Sequence, residues 1–250
     1  MNDFESDCEG YGRLRFPGGR RNDNADFRLQ ANDRGRAHDF LFFFDSRGVG
    51  RAFAGSIADR LVRHAETGAR SYLLACRPLD LTTWATLLNF LAANELTPRR
   101  IVTNMGFVDF TPKKQSILDD AVRQVDTLLG PGVASSHFCE RTLSSAGEDI
   151  PLYSMTYGDA YHQCIEALAA KCLLLVVNTP PVDRDIRVPR QRPASFFDAV
   201  EQGNAFNRSI GGATVVEPPQ FDERHTYDAV HYTDAGNEVI FEKIREQLQS

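Results

Sequence analysis

Two short segments at opposite ends of the chain hold residue types that could cooperate in covalent chemistry. The first is Asp45-Ser46, placed just after the apolar run Phe40-Leu41-Phe42-Phe43-Phe44. A serine hydroxyl is a weak nucleophile until a base takes its proton, and that base must itself be oriented. The second segment, Asp228-Ala229-Val230-His231, offers both missing parts. A carboxylate three residues ahead of a histidine can reach its Nδ1–H and leave Nε2 to face a hydroxyl. Such a triad is defined by the roles of its members and not by their order along the chain. If a helix opens at Ser46, its N-terminal N–H groups also favour negative charge there.

The elements that must bring these segments together are legible as an alternation. Continuous apolar runs mark strands buried on both faces at Phe40–Phe44, Ser71–Cys76 and Leu173–Asn178, with further strands at Arg100–Phe110 and Ala213–Glu217. Between them, apolar residues at helical spacing (Phe53, Ile57, Leu61; Trp84, Leu87, Leu88, Leu91) predict helices after the first strand and over Leu81–Leu96. A third helix opens at Thr111-Pro112 and runs through Leu128, since proline suits the first helical position. Further helices are expected over Ala160–Ala170, Ser195–Arg208 and from Asp234 onward, the last with Thr233 as N-cap. Gly130–Pro151 carries no clear pattern, and Val182–Pro193, with arginines at 184, 187, 190 and 192, reads as a solvated loop that could instead meet an anionic substrate. Alternation of this kind predicts an α/β three-layer sandwich around a parallel five-stranded sheet, in a single domain over residues 40–250. Residues 1–39 hold 15 charged side chains (8 acidic, 7 basic) without a sustained period, and are expected to form a mobile hydrophilic leader.

Composition narrows the function classes. The chain has 250 residues and a formal net charge of −6, with no basic stripe to supply phosphate-dependent affinity, so no nucleic-acid partner is expected. Its apolar runs fall far short of the ~20 residues of a membrane span. The acidic start MNDFESDCEG lacks the pattern of a secretory signal, which makes a cytoplasmic location the expectation. Five cysteines without paired spacing imply neither a disulfide framework nor a zinc site, and no metal is expected. Gly48-Val49-Gly50 begins a dinucleotide fingerprint, but Phe53 occupies the third glycine position.

In order and placement these segments resemble the SGNH or GDSL hydrolases, a family of esterases, lipases and carbohydrate O-acyl hydrolases. Phe44-Asp45-Ser46 matches the family's first block, Gly-Asp-Ser, with Phe in place of Gly. Asp228-Ala-Val-His231, followed by Tyr232-Thr233-Asp234-Ala235-Gly236, matches its last block closely, and Gly106-Phe107-Val108-Asp109 stands for the third, Gly-x-Asn-Asp. The resemblance implies a flavodoxin-like sheet, an acyl-serine mechanism with Ser46, His231 and Asp228, a small acylated substrate and no cofactor. A short O-acyl ester of a small molecule or carbohydrate is the expected substrate. Acyl transfer by the same residues, or a binding protein that keeps the fold without turnover, are the alternatives. Val108 stands where the family has its oxyanion-binding Asn, and the second strand ends Ala75-Cys76-Arg77-Pro78 without the second-block Gly. Arg47, Cys76, Arg77, Asn104, Gly106 and Val108 are therefore the candidate oxyanion and substrate-binding positions. Asn104 lies four residues upstream of Val108, roughly 13 Å away if both stand on one strand.

Overall fold

The computed structural model describes residues 4–8, 12–16, 28–33, 35–49, 53–76, 83–145, 148–188, 192 and 194–249. In chain order the elements are β1 (Phe4–Cys8), β2 (Gly12–Phe16), β3 (Arg28–Ala31), β4 (Phe40–Phe44), α1 (Ser46–Val49), α2 (Ile57–Thr67), β5 (Tyr72–Cys76), α3 (Trp84–Ala93) and β6 (Arg100–Thr103). There follow α4 (Phe107–Phe110), α5 (Gln115–Leu129), β7 (Ala134–Ser145), β8 (Glu148–Tyr157), α6 (Asp159–Ala169), β9 (Leu173–Val177), α7 (Ala194–Ser209), β10 (Thr214–Val216) and α8 (Asp234–Gln249).

Five strands pair in parallel in the order β5-β4-β6-β9-β10, which is the flavodoxin-like order, with helices on both faces. Each strand alternates its side chains between two apolar layers. Leu41, Phe43, Leu73, Ala75, Ile101, Leu174 and Val176 face α3, α5 and α6. Phe40, Phe42, Phe44, Tyr72, Leu74, Val102, Leu175 and Val177 face α2 and α8. A strand covered on both sides needs no polar alternation, which explains why Phe40–Phe44 is uniformly apolar and uniformly buried.

Three expectations are corrected, and one unassigned stretch gains a structure. The sheet has a sixth strand, because β3 pairs antiparallel with β5 (Leu29 with Ala75, Gln30 with Leu74). Sheet residues therefore precede residue 40, and Leu14 of β2 is buried in the core. The third strand stops at Thr103 and not at Phe110, because Gly106 (φ +116°) turns the chain into the short helix α4. An added Cβ at Gly106 would lie 2.6 Å from Asn207 Oδ1, so only glycine fits. α5 begins at Gln115: Lys113 is held instead in a bridge with Tyr153, keeping the Thr111-Pro112 segment out of the helix. The unassigned stretch after Gly130 forms the antiparallel hairpin β7–β8, kinked by a register shift between Phe138 and Arg141. Among the described residues no helix is long and apolar enough to cross a membrane.

Candidate active site

In an open α/β sheet, ligands bind beyond the carboxyl ends of the strands, where the strand order reverses. Here that point lies between β4 and β6, and β4 delivers Asp45-Ser46 to it. Asp45 turns inward. Its N–H donates to Asn104 Oδ1 at 3.0 Å, while Asn104 Nδ2 donates back to Asp45 Oδ1 at 2.8 Å, tying the ends of β4 and β6 together. Arg47 closes on the same carboxylate: its backbone N–H reaches Oδ1 at 2.8 Å, Nε reaches Oδ2 at 2.9 Å and Nη2 reaches Oδ2 at 2.7 Å. With residues 45 and 47 both buried, Ser46 between them is left half-buried at the strand end.

The Arg47 guanidinium is a hub for the loops around Ser46. It donates to Thr179 Oγ1 after β9 and to the Asn104 carbonyl after β6 (2.5 Å), lies 4.8 Å over the Phe107 ring, and is close enough to the Tyr232 hydroxyl to interact with it electrostatically. Burial opposes its charge, but Asp45 and Tyr232 outweigh that and raise its pKa. Burial likewise pushes the Tyr232 hydroxyl up to about 12. The segment after Ser46, expected as a loop, is the single helical turn α1, and Gly48 lets it fold back on β4, since a Cβ there would lie 2.5 Å from the Phe44 side chain.

Asp228 and His231 come from a tight turn ahead of α8. The Asp228 Oδ1 accepts the backbone N–H groups of Val230 (3.1 Å) and His231 (2.8 Å), and Ala229 between them takes a left-handed φ of +65°. Asp and Asn carboxyl or amide groups commonly close such turns on their own backbone. The His231 carbonyl is held by Thr226 Oγ1 and the Tyr227 N–H, both at 2.9 Å. The imidazole Nδ1 then lies 3.2 and 3.1 Å from the two Asp228 oxygens, and Nε2 lies 3.4 Å from Ser46 Oγ. That last distance is at the loose end of hydrogen-bond reach, and nucleophile–base pairs of this kind tighten when the reacting groups engage. Burial opposes ionisation of Asp228, yet the hydrogen bonds from the His231 ring and backbone, with the charges of His231 and Arg192, hold its carboxyl well below the usual carboxylate range. The chain thus brings together, from its two ends, a hydroxyl, an imidazole and an ionised carboxylate in the order a proton relay needs.

The other sequence candidates have different surroundings. Arg47 is wholly enclosed and engaged within the protein, so it is a brace and not a substrate contact. Asn104 is buried with its amide turned to Asp45; because β6 ends at Thr103, the extended-strand separation from Val108 does not apply. Cys76 is the fully buried last residue of β5, opposite Phe44, and Arg77 lies outside the described residues. Val108 is half-buried in α4 against an apolar cluster with Phe107, Phe196 and Val230. Its neighbour Asp109 is buried and accepts from Tyr161 Oη (2.7 Å), Tyr157 Oη (2.9 Å) and the Trp84 N–H, which bolts α4 to β8, α6 and α3. Burial pushes the Asp109 carboxyl up despite those donors.

Sequence reasoning missed Arg192. It lies not in a solvated loop but against Asp228, its Nη2 2.5 Å from Asp228 Oδ2 and its Nε 3.0 Å from the Asp228 carbonyl. Arg190 lies outside the described residues, and Arg184 pairs at the surface with Asp198. Four arginines in one loop gave no signal for which would turn inward. Thr179 and Tyr232, which surround the Arg47 guanidinium, were missed as well, because their partner is distant along the chain.

No family model matches the chain, and no curated protein does. Among solved structures, the chain is similar to Est24, a carbohydrate acetylesterase from Sinorhizobium meliloti, at 14% identity over 86% of this chain and 99% of that one, with a TM-score of 0.46. It is also similar to the acetyl xylan esterase AlAXEase (14% identity, 84% and 98% coverage, TM-score 0.45). A third likeness is to LAE5, an alpha/beta hydrolase enzyme from the metagenome of Lake Arreo, Spain (14%, 83% and 93%, TM-score 0.44). Likeness this distant adds nothing to the chemistry, which rests on the distances above.

Proposed function

We propose that this chain is a serine ester hydrolase of the SGNH type, acting on a short O-acyl ester of a small molecule or carbohydrate. The observation that carries the reading is the continuous relay from Ser46 Oγ through His231 Nε2 and Nδ1 to Asp228. His231 takes the hydroxyl proton as Ser46 Oγ bonds to the ester carbonyl carbon, then returns it to the departing alcohol as the C–O bond breaks. This leaves an acyl-serine. Water, deprotonated by the same imidazole, attacks the acyl carbon and releases the acid with regeneration of Ser46. Asp228 keeps Nδ1 protonated and stabilises the imidazolium formed in each step. The oxyanion falls to backbone N–H groups, that of Ser46 first, because Val108 has no side-chain donor. One missing donor costs ~10²–10³ in rate, so turnover is expected to be slow.

A second reading follows from Val108 alone: a binding protein that keeps the fold without turnover. A fluorophosphonate probe separates the two. The hydrolase reading predicts labelling of Ser46 that is lost in Ser46→Ala and strongly slowed in His231→Ala, with the fold of both variants intact by circular dichroism. A folded wild-type protein that neither labels at Ser46 nor turns over an activated short-chain ester would leave the binding reading.

A further inference from the structure

We infer that Arg192 is a positioning residue for the Asp228–His231 pair, reaching it from the segment after β9; the inference rests on the triad proposed above. The turn that carries the pair is under strain. Ala229 has φ +65°, a region that an alanine occupies only where its surroundings enforce it. Within the turn the enforcement comes through one oxygen, since the N–H groups of Val230 and His231 both donate to Asp228 Oδ1. Nothing in the turn's own backbone fixes the plane of the carboxylate about that oxygen, and the imidazole Nδ1, 3.1 Å from Oδ2, depends on that plane.

Arg192 supplies the missing constraint. Its Nη2 holds Oδ2 while its Nε holds the carbonyl of the same residue, so one rigid planar fork grips both the side chain and the backbone of Asp228. The guanidinium is backed by the Phe196 ring, 5.3 Å away. The same segment also packs on the turn with apolar side chains: Ile186 and Val188 join Ala229 and Val230 in one buried cluster. The role is geometric. A positive charge behind Asp228 favours the ionised carboxylate but also offsets part of what that carboxylate offers the imidazolium, so what an arginine adds here lies in holding the carboxylate in place. A fork is therefore needed, and a bare charge would not serve as well.

The test compares wild type with Arg192→Ala, Arg192→Lys and Arg192→Gln. The expected result for Arg192→Ala is a kcat on an activated short-chain ester lowered ~10- to 100-fold, the size of effect that misplacing a reacting group produces, with KM little changed. Arg192→Lys should recover only part of the rate, and added methylguanidinium should restore Arg192→Ala. An independent readout is the downfield proton resonance of the His231 Nδ1–H, assigned by its loss in His231→Asn. It should be sharp in wild type and broadened in Arg192→Ala. A rise in KM with kcat unchanged would overturn the inference in favour of a contact to anionic substrate. Unchanged kcat with an unchanged resonance would overturn it outright. If wild type neither turns over the ester nor labels at Ser46, the hydrolase reading fails while the resonance still decides whether Arg192 holds the pair. If Arg192→Ala does not fold, Arg192→Gln, which keeps a donor near the stem, carries the same comparison.

Discussion

Asp45 and Arg47, the two residues flanking Ser46, form a buried ion pair, their side chains meeting through three guanidinium contacts of 2.7 to 3.1 Å. Two residues apart, they close a ring that leaves the residue between them facing out of the core. The position of Ser46 is thus a consequence of the pairing of its neighbours. Because the guanidinium also reaches Thr179, the Asn104 carbonyl and Tyr232, the same pair ties the carboxyl ends of β4, β6 and β9 to the segment that carries His231.

Replacing Arg47 by methionine should therefore destabilise the fold by ~3–5 kcal/mol, since it leaves the Asp45 carboxylate buried and uncompensated. The double replacement Asp45→Asn with Arg47→Met should recover part of that loss. Urea unfolding of wild type and the two variants measures both effects, and equal midpoints for wild type and Arg47→Met would contradict the pairing.

Acid should expose the contribution of Asp228. Its carboxyl is held below the unfolded value of ~3.9, so the native state binds its proton less readily than the unfolded chain does. The stabilisation is fully present above that unfolded value and is lost as pH falls through the lower folded one. The stability difference between wild type and Asp228→Asn should accordingly be constant from pH 7 to about 5 and shrink below about 4. A difference that does not narrow in acid would show that the carboxylate is not held ionised.

Three tyrosines should resist ionisation. Burial and the neighbouring Asp109 raise Tyr157 and Tyr161 well above the usual phenol range, and burial takes Tyr232 to about 12. Their hydrogen-bonded phenols stabilise the fold below ~10, and that stabilisation is lost as pH climbs through the raised folded values. In a spectrophotometric titration, Tyr157→Phe and Tyr161→Phe should leave the phenolate signal up to about pH 10.5 unchanged. Loss of amplitude in that range would place the corresponding hydroxyl in water.

Val108→Asn restores a side-chain amide where the resembling family has one. If that amide meets the developing oxyanion, kcat on a generic ester should rise by up to ~10²–10³. The competing cost is ~1–3 kcal/mol, should the amide be left unpaired against the Phe107, Phe196 and Val230 cluster. Rate and melting temperature are measured together. A stable variant with no gain in kcat would mean that position 108 does not border the oxyanion.

The five parallel strands and most helices were legible because they follow from local patterning. Phe40–Phe44 and Leu174–Val177 are apolar throughout, since both of their faces are covered, and Trp84, Leu87, Leu88 and Leu91 repeat at helical spacing. Thr233 caps α8 through the Gly236 N–H, as its place in the sequence suggests. The spacing of Asp228 and His231 also announced itself, because the turn that joins them is built from four consecutive residues. What lay beyond the sequence depended on residues distant along the chain. β3 joins the sheet only because the edge of β5 accepts it, and the turn at Gly106 that follows β6 admits no side chain because Asn207, from α7, fills the space beside it. Arg47 looked available for substrate until Asp45, Asn104, Thr179 and Tyr232 were seen to enclose it. Arg192 looked solvated until the chain folded it onto Asp228. A charged side chain carries no periodic signal of its own, and whether it faces water or a buried partner is decided only when the segments meet in three dimensions.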